Sequence, residues 1–244
     1  MLILLPPSET KRSGGVGISI DRLAIIWAAL DPARDQLIAA LQQVCKNPEA
    51  AKEALHLGKQ GAVDIAANLS LYTAPTMPAV ERYTGVLFEA LNYPTLSERA
   101  KQRVSERLFI QSALFGLLPA TEQIPYYRFS AGSKIPEINL KKLWSEAHQA
   151  VWPRLVDPIL DMRSVAYVEL NPIPTSNQSY FVEVIDSSGK ALNHFNKKAK
   201  GLIARAALEN ALETIDQLPA IAKTVGLKAE IDGQSVLIIT PRGF

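Results

Sequence analysis

The stretch 193–210, N-H-F-N-K-K-A-K-G-L-I-A-R-A-A-L-E-N, carries the residue types best suited to holding an anion. At about 100° per residue, a helix gathers on one side the residues His194, Lys197, Lys198, Gly201 and Arg205. Gly201 costs about 1 kcal/mol against alanine inside a helix, so we predict that a bulky group approaches the backbone there. A phosphate fits that description, and a solvated basic face is the alternative. No acidic residue occurs between positions 192 and 208, which favours the anion.

Two polar side chains follow the first apolar run of the chain. Residues 1–5, M-L-I-L-L, predict a buried strand that Pro6 and Pro7 end abruptly. Ser8 and Lys11 then stand at the carboxyl end of a strand, where open α/β sheets bind their ligands. The pattern G-x-x-x-x-G-K-[ST] is absent, which excludes a P-loop. These two residues are candidate anion contacts, and a mobile surface loop is the alternative.

A second strand end carries a possible catalytic group. The segment 158–162 predicts a strand that places Asp161, Arg163 and Ser164 near the edge of the sheet where catalytic groups cluster. Asp161 is the candidate general base, and Ser164 is the other catalytic candidate. A buried Asp–Arg pair that holds a loop explains the same residues equally well.

An aromatic and basic loop precedes this strand. In the segment 119–132, Tyr126 and Arg128 could stack on a base or grip a phosphate. The alternative is that these side chains pack a long loop onto the body of the protein.

The region 34–70 resembles a helix-hairpin-helix. Gly58, Lys59 and Gly61 lie between two segments of helical periodicity, and Asn47-Pro48 is a typical start for the second helix. Glycines in such a turn let backbone amides approach a DNA phosphate, and Lys59 adds charge. A purely structural helical hairpin is the alternative.

Composition narrows the class of protein. The 244 residues include 26 basic and 24 acidic side chains, so nucleic-acid binding must rest on a local patch. One cysteine and three scattered histidines exclude an internal disulfide and disfavour a transition-metal site, although Asp and Glu could hold magnesium. We therefore expect no metal and no cofactor. Without a basic leader or an apolar run of about 18 residues, we expect a cytoplasmic protein with no membrane segment.

Four segments, in order along the chain, resemble the peroxide stress protein YaaA family. They are M-L-I-L-L-P-P-S-E-T-K, S-A-L-F-G-L-L-P followed by P-Y-Y-R, L-D-M-R-S-V-A-Y, and H-F-N-K-K-A-K-G-L-I-A-R. The match is closest to the shorter members of high-GC Gram-positive bacteria. The resemblance implies one α/β domain over residues 1–244, with a central mixed sheet flanked by helices and a helix-hairpin-helix element.

The resemblance also implies a positively charged cleft, DNA binding, and protection from peroxide by limiting damage from free iron. The residues that match the motifs of the family are Ser8, Lys11, Gly58 to Gly61, Tyr126, Arg128, Lys197, Lys198, Lys200 and Gly201.

Two functions follow as hypotheses. The first is a DNA-binding protein of the oxidative stress response, with phosphate contacts from Lys59, Lys197, Lys198 and Arg205. The second is an enzyme that acts on a nucleotide or another phosphate-bearing small molecule in a basic cleft. Direct iron sequestration is disfavoured by the scarcity of histidine and cysteine. The sequence indicates no protein partner.

Overall fold

The computed structural model describes residues 1–20, 25–59, 61–186, 189 and 194–241. The side chain of His194, one member of the predicted basic face, lies outside the described part. The strands are β1 (Leu2–Leu5), β2 (Thr76–Pro78), β3 (Leu108–Ser112), β4 (Gly116–Pro119), β5 (Gln123–Pro125), β6 (Ile159–Asp161), β7 (Ser179–Asp186), β8 (Lys228–Asp232) and β9 (Ser235–Thr240). The helices are α1 (Asp31–Cys45), α2 (Pro48–Leu55), α3 (Gly61–Leu69), α4 (Ala79–Arg82), α5 (Val86–Leu91), α6 (Glu98–Arg107), α7 (Leu140–Ala147), α8 (Val165–Leu170), α9 (His194–Glu209) and α10 (Leu218–Lys223).

One mixed sheet forms the centre of the protein. Within the described residues its seven strands follow the order β4-β3-β1-β6-β7-β9-β8. The five central strands are parallel, and the strand at each edge runs antiparallel to its neighbour. The mixed α/β fold predicted from the sequence is confirmed.

Strand β1 is apolar throughout because both faces of the sheet are covered at its centre. Every residue of β1 is buried, and Leu4 is paired with Phe109 on one side and with Asp161 on the other. Strands buried on both faces read as continuous apolar runs, which is why residues 1–5 were recognisable as a strand. The three neighbours β3, β1 and β6 therefore end at the same edge of the sheet.

Local signals define several helix starts. The side chain of Asn47 accepts hydrogen bonds from the backbone N–H groups of Glu49 and Ala50, and Pro48 occupies the first helical turn. The cap predicted at Asn47-Pro48 is confirmed. Ser97 caps α6 in the same way, by accepting from the N–H of Ala100.

One predicted helix is broken in the structure. The spacing of apolar residues over 79–91 predicts a single helix, but α4 ends at Arg82 and α5 begins at Val86. Between them Tyr83 forms an isolated antiparallel bridge with Lys11, and Gly85 has φ of 91°. A positive φ suits glycine and interrupts a helix. The break brings the segment after β1 against the segment that joins α4 to α5.

Among the described helices, none is both long and apolar enough to cross a lipid bilayer.

Candidate anion-binding site

The loops that follow β1, β3 and β6 meet at the carboxyl edge of the parallel sheet. The backbone N–H of Met162, just after β6, donates to the carbonyl of Leu4 in β1 at 2.8 Å. The segment after β1 is held in turn against the connection between α4 and α5, because Thr84 N–H donates to Thr10 O at 3.1 Å. Residues far apart in the sequence are thus brought to one edge, as open α/β sheets arrange their ligand sites.

Lys11 lies on a platform of two tyrosine rings. Its Nζ is 4.3 Å from the ring centroid of Tyr127 and 5.5 Å from that of Tyr83. The same Nζ donates to the backbone carbonyl of Glu9 at 3.4 Å. The amine is therefore positioned by ring faces, which attract its charged form, rather than by a direct ion pair with a carboxylate.

The hydroxyl groups of the platform form a buried chain. The Oη atoms of Tyr83 and Tyr127 are 2.6 Å apart, and the Oη of Tyr127 is 2.8 Å from Ser112 Oγ. Ser112 Oγ already accepts from the N–H groups of Leu114 and Phe115. Its own proton must therefore go to Tyr127, and the proton of Tyr127 to Tyr83. This directional chain fixes both rings beneath Lys11.

Two opposing effects act on the charge of Lys11. Burial, and after it the positive charge of Arg128, lowers the pKa of Lys11 to about 7, against the smaller raising effects of Glu9 and Asp64. The ring faces favour the ammonium form. Neutral and charged amine are thus both accessible near neutral pH.

A cavity of about 490 Å³ opens beside this amine. Its walls are the residues Lys11, Ser13, Gly14, Val63, Ala67, Ser70, Ala74, Pro75 and Tyr126. Most of the lining is small or apolar, and Lys11 is its charged member. Such a volume lies within the range of small-molecule sites.

Arg82 holds the loop that forms one wall of the cavity. This buried guanidinium donates to the backbone carbonyl of Arg12, to that of Pro75 at 3.3 Å, and to that of Ile124. The N–H of Arg12 donates back to Arg82 O at 2.8 Å. Backbone carbonyls compensate the buried charge, so the loop that carries Lys11 is fixed to α4.

Tyr126 and Arg128, predicted as ligand contacts, lie beside Lys11 and also have partners of their own. The hydroxyl of Tyr126 donates to Asp64 Oδ1 at 2.9 Å, and Tyr126 lines the cavity. Arg128 Nη2 is 3.1 Å from Glu9 Oε2. These contacts show the packing alternative drawn from the sequence, and ligand contact by the two residues stays a prediction. Ser8 Oγ lies 3.1 Å from Thr10 Oγ1 at the same edge.

Asp161 forms a buried ion pair with Arg163, which is the alternative to the prediction of a general base. Arg163 Nε is 2.9 Å from Asp161 Oδ1, and Arg163 Nη2 is 2.8 Å from Oδ2. Both side chains are almost fully buried. The remaining nitrogen of the guanidinium donates to Asn171 O at 2.7 Å. A carboxylate held on both oxygens is poorly placed as a general base, and Ser164 is exposed at the start of α8 without making a capping bond.

The predicted basic face of 193–210 divides into two parts. Lys197 and Lys198 are exposed near the amino end of α9. Lys200 is buried and donates to Arg163 O at 3.1 Å, and burial lowers its pKa to about 8. Arg205 donates to the carbonyls of Leu91 and Asn92 at 3.0 and 3.1 Å, which terminates α5.

Lys200, Gly201 and Arg205 therefore require a correction. The close approach predicted at Gly201 is real, but a Cβ there would meet the carbonyl of Leu87 and lie 2.7 Å from the Cβ of Ala90. A neighbouring helix, not an anion, occupies that space. The periodicity of one segment reports which residues share a face, but not what covers it.

The turn predicted as a helix-hairpin-helix element joins α2 to α3. Gly61 N–H donates to Gly58 O at 3.1 Å, and Lys59 is exposed. A Cβ at Gly58 would meet nothing within 4 Å, whereas one at Gly61 would lie 3.2 Å from Leu57 Cβ. The turn leads into α3, whose residues Val63 and Ala67 line the cavity.

Sequence reasoning missed the residues that build the platform. Tyr83 was assigned to a continuous helix, and Ser112 was given no role although it is the first residue of the quoted S-A-L-F-G-L-L-P segment. Tyr127 lies within the quoted Y-Y-R motif, next to the residue that was chosen. The Tyr-Tyr doublet was the available signal, because one ring of a doublet on an extended segment can face inward while the other faces out.

Among the described residues, no group of three or more histidine, cysteine, aspartate or glutamate side chains is arranged to hold a metal ion.

Fold and candidate site define an α/β protein in which Lys11, two tyrosine rings and a cavity lie together at the carboxyl edge of the parallel sheet. The family model described as "Peroxide stress protein YaaA" matches residues 1–230, and the chain belongs to this family, which is named for a role in peroxide stress. It is 37% identical over 238 residues to a UPF0246 protein of Corynebacterium glutamicum strain R, covering 94% of this chain and 95% of the relative. A UPF0246 protein of Streptomyces coelicolor is 33% identical over 246 residues, covering 96% and 95%. An uncharacterized protein of Campylobacter jejuni is 28% identical over 244 residues, covering 95% and 98%.

Proposed function

We propose that this protein acts in peroxide stress by binding the phosphate backbone of DNA, and that this binding limits iron-dependent oxidative damage in the cytoplasm. The observation that carries the proposal is the exposure of Lys197 and Lys198 near the amino end of α9. The amino terminus of a helix carries partial positive charge, which adds to the attraction for phosphate. The segment between positions 192 and 208 itself contains no acidic residue.

The turn between α2 and α3 would supply a second contact. Lys59 is exposed on that turn, and the backbone at Gly58 is open to a close neighbour, since a Cβ there would touch nothing. Backbone amides and a lysine bind phosphate without reading bases, so the affinity would be independent of sequence. The scarcity of histidine and cysteine favours protection through the DNA over a tightly bound iron ion.

The test is the salt dependence of binding to duplex and branched DNA. Each phosphate contact contributes about 0.9 to the slope of log affinity against log salt, so Lys197→Ala with Lys198→Ala should lower the slope by roughly 2. Reversal to glutamate at both positions should lower the affinity by more than about tenfold at low salt. Binding that is unaffected by both salt and charge reversal would overturn the proposal.

A matched control exists on α7. Lys141 and Lys142 are also adjacent and exposed, and they lie near the amino end of a helix. The same substitutions there change the net charge equally. They should leave the slope and the affinity nearly unchanged, so an equal loss at both pairs would indicate an unspecific charge effect.

A second candidate function is an enzyme that acts on a nucleotide or a phosphorylated small molecule. The observation that favours it is the cavity of about 490 Å³ beside Lys11, which a duplex does not require. A thermal-shift screen with nucleotides and phosphosugars tests it. A stabilising compound that also competes with DNA would support this function, and the absence of any stabilising compound would argue against it.

A further inference from the structure

The amine of Lys11 has a setting that phosphate binding does not explain. A lysine attracts phosphate as a point charge and therefore binds it best in its fully charged form. Lys11 is instead half-buried over two rings at the wall of a cavity. This arrangement is typical of a lysine that reacts as a neutral nucleophile.

The surroundings restrict where the amine can point. The rings of Tyr127 and Tyr83 lie on one side, and Arg82 fixes the backbone of the loop at Arg12. The hydroxyl groups of both rings are engaged in the hydrogen-bonded chain that begins at Ser112. The open direction for Nζ is therefore the cavity, where a ligand atom could be held against it.

The charges that face Lys11 come from several elements. Arg128 and Arg82 are positive, while Glu9 and Asp64 are negative. Arg128 is paired with Glu9, and Asp64 accepts from Tyr126. The positive groups favour a ligand that carries phosphate, and they disfavour a second positive charge on Lys11 itself.

We propose that Lys11 forms an imine with an aldehyde that a phosphate-bearing ligand presents to the cavity. This inference rests on the proposed binding of phosphate-bearing ligands. The aldehyde could belong to the open-chain sugar of an abasic site in DNA or to a free phosphorylated aldehyde.

The chemistry is a condensation without oxidation or reduction. The lone pair of neutral Nζ attacks the aldehyde carbon, a C–N bond forms, and the electrons of the C=O π bond move to oxygen. The resulting carbinolamine loses that oxygen as water, which carries away both protons of the amine. A C=N bond remains, and hydrolysis reverses the step. Burial and Arg128 lower the pKa of Lys11 to about 7, which supplies the neutral amine near neutral pH.

The experiment traps the imine by borohydride reduction. The intact protein is mixed in one arm with a duplex that carries a single abasic site, and in the other with glyceraldehyde 3-phosphate. Peptide mapping should find at least about tenfold more reduced adduct on Lys11 than on any other lysine. A stronger signal in the first arm identifies a DNA ligand, and a stronger signal in the second identifies a small molecule.

Three variants decide the outcome. Lys11→Arg keeps the positive charge over the rings but cannot form an imine, and Lys11→Ala removes the amine, so both should lose the adduct. Lys141→Arg changes an exposed lysine of α7 and should leave the adduct on Lys11 unchanged. Circular dichroism shows whether each variant is folded. If a Lys11 variant does not fold, the distribution of reduced adduct among the lysines of the unmodified protein still decides whether Lys11 is the reactive residue.

The failures of the two proposals are distinguishable. The imine proposal is overturned if the adduct is spread over the exposed lysines. It is also overturned if the Lys11→Arg variant is labelled as strongly as the unmodified protein. If intact duplex binds with the expected salt slope while no adduct forms, DNA binding stands and the imine fails. If Lys11 is trapped by the small aldehyde while duplex does not bind, the imine stands and the DNA function fails.

Discussion

The backbone of Gly201 in α9 lies directly against the carbonyl group of Leu87 in α5. A Cβ at Gly201 would stand 3.1 Å from the Leu87 carbonyl carbon and closer still to its oxygen. Arg205, one turn further along α9, donates to the carbonyl of Leu91 at the end of α5. The two helices are therefore joined by close backbone contact and by a side chain that terminates the shorter helix.

Gly201→Ala should destabilise the protein. Alanine gains about 1 kcal/mol of helix propensity, but overpacking against a backbone carbonyl costs about 1–3 kcal/mol, and no rotamer change relieves it. We expect a net loss in the free energy of unfolding, measured by urea denaturation. Gly58→Ala is the control, because a Cβ there meets nothing within 4 Å. Equal effects of the two substitutions would contradict the packing account.

Asp161→Asn should be strongly destabilising, since it leaves the buried guanidinium of Arg163 without its counter-charge. Removing one partner of a buried pair costs about 3–5 kcal/mol. Glu98→Gln serves as comparison, because it breaks the surface pair with Lys101 and should have a much smaller effect on stability. Denaturation curves of both variants provide the measurement. A stable, folded Asp161→Asn protein would reopen a chemical role for this carboxylate.

Stability should fall in acid through His148. Its Nδ1 lies 2.8 Å from Trp144 O, and its Nε2 accepts from Leu117 N–H at 3.1 Å, so the neutral tautomer fits and the protonated ring does not. Burial lowers the pKa of His148 to about 4 in the folded protein, below its usual 6.5. As the pH falls, His148 therefore binds a proton in the unfolded chain before it does so in the folded protein. Folding stability is retained above pH 6.5 and declines as the pH falls towards 4, by on the order of 3 kcal/mol.

Urea denaturation between pH 7.5 and 4.5 measures this decline. His148→Gln removes the titrating ring, so the difference between the two pH profiles isolates it from the carboxylates. His56→Gln changes an exposed histidine and should follow the unmodified protein. If the profile of His148→Gln were as steep as that of the unmodified protein, another group would be responsible.

The sequence alone determined the elements whose signal is local. Residues 1–5 read as a buried strand because a strand covered on both faces must be apolar throughout. Asn47-Pro48 marked the start of α2 because a side-chain acceptor and a residue without an N–H suit a helix start wherever it lies. The position of Ser8 and Lys11 after a strand placed them at the carboxyl edge of the sheet, where open α/β sheets commonly bind ligands.

Only the tertiary structure decided what surrounds these residues. Tyr83 was predicted to lie in a helix but pairs with Lys11 between two helices. At Gly201 a neighbouring helix occupies the space where an anion was expected. Lys200 was predicted on an exposed basic face but is buried and donates to Arg163 O. Each outcome joins segments more than 30 residues apart in the sequence. The periodicity of a segment shows which side chains share a face. What covers that face depends on how all the elements pack together, because the free energy of burial is set by the partner as much as by the residue.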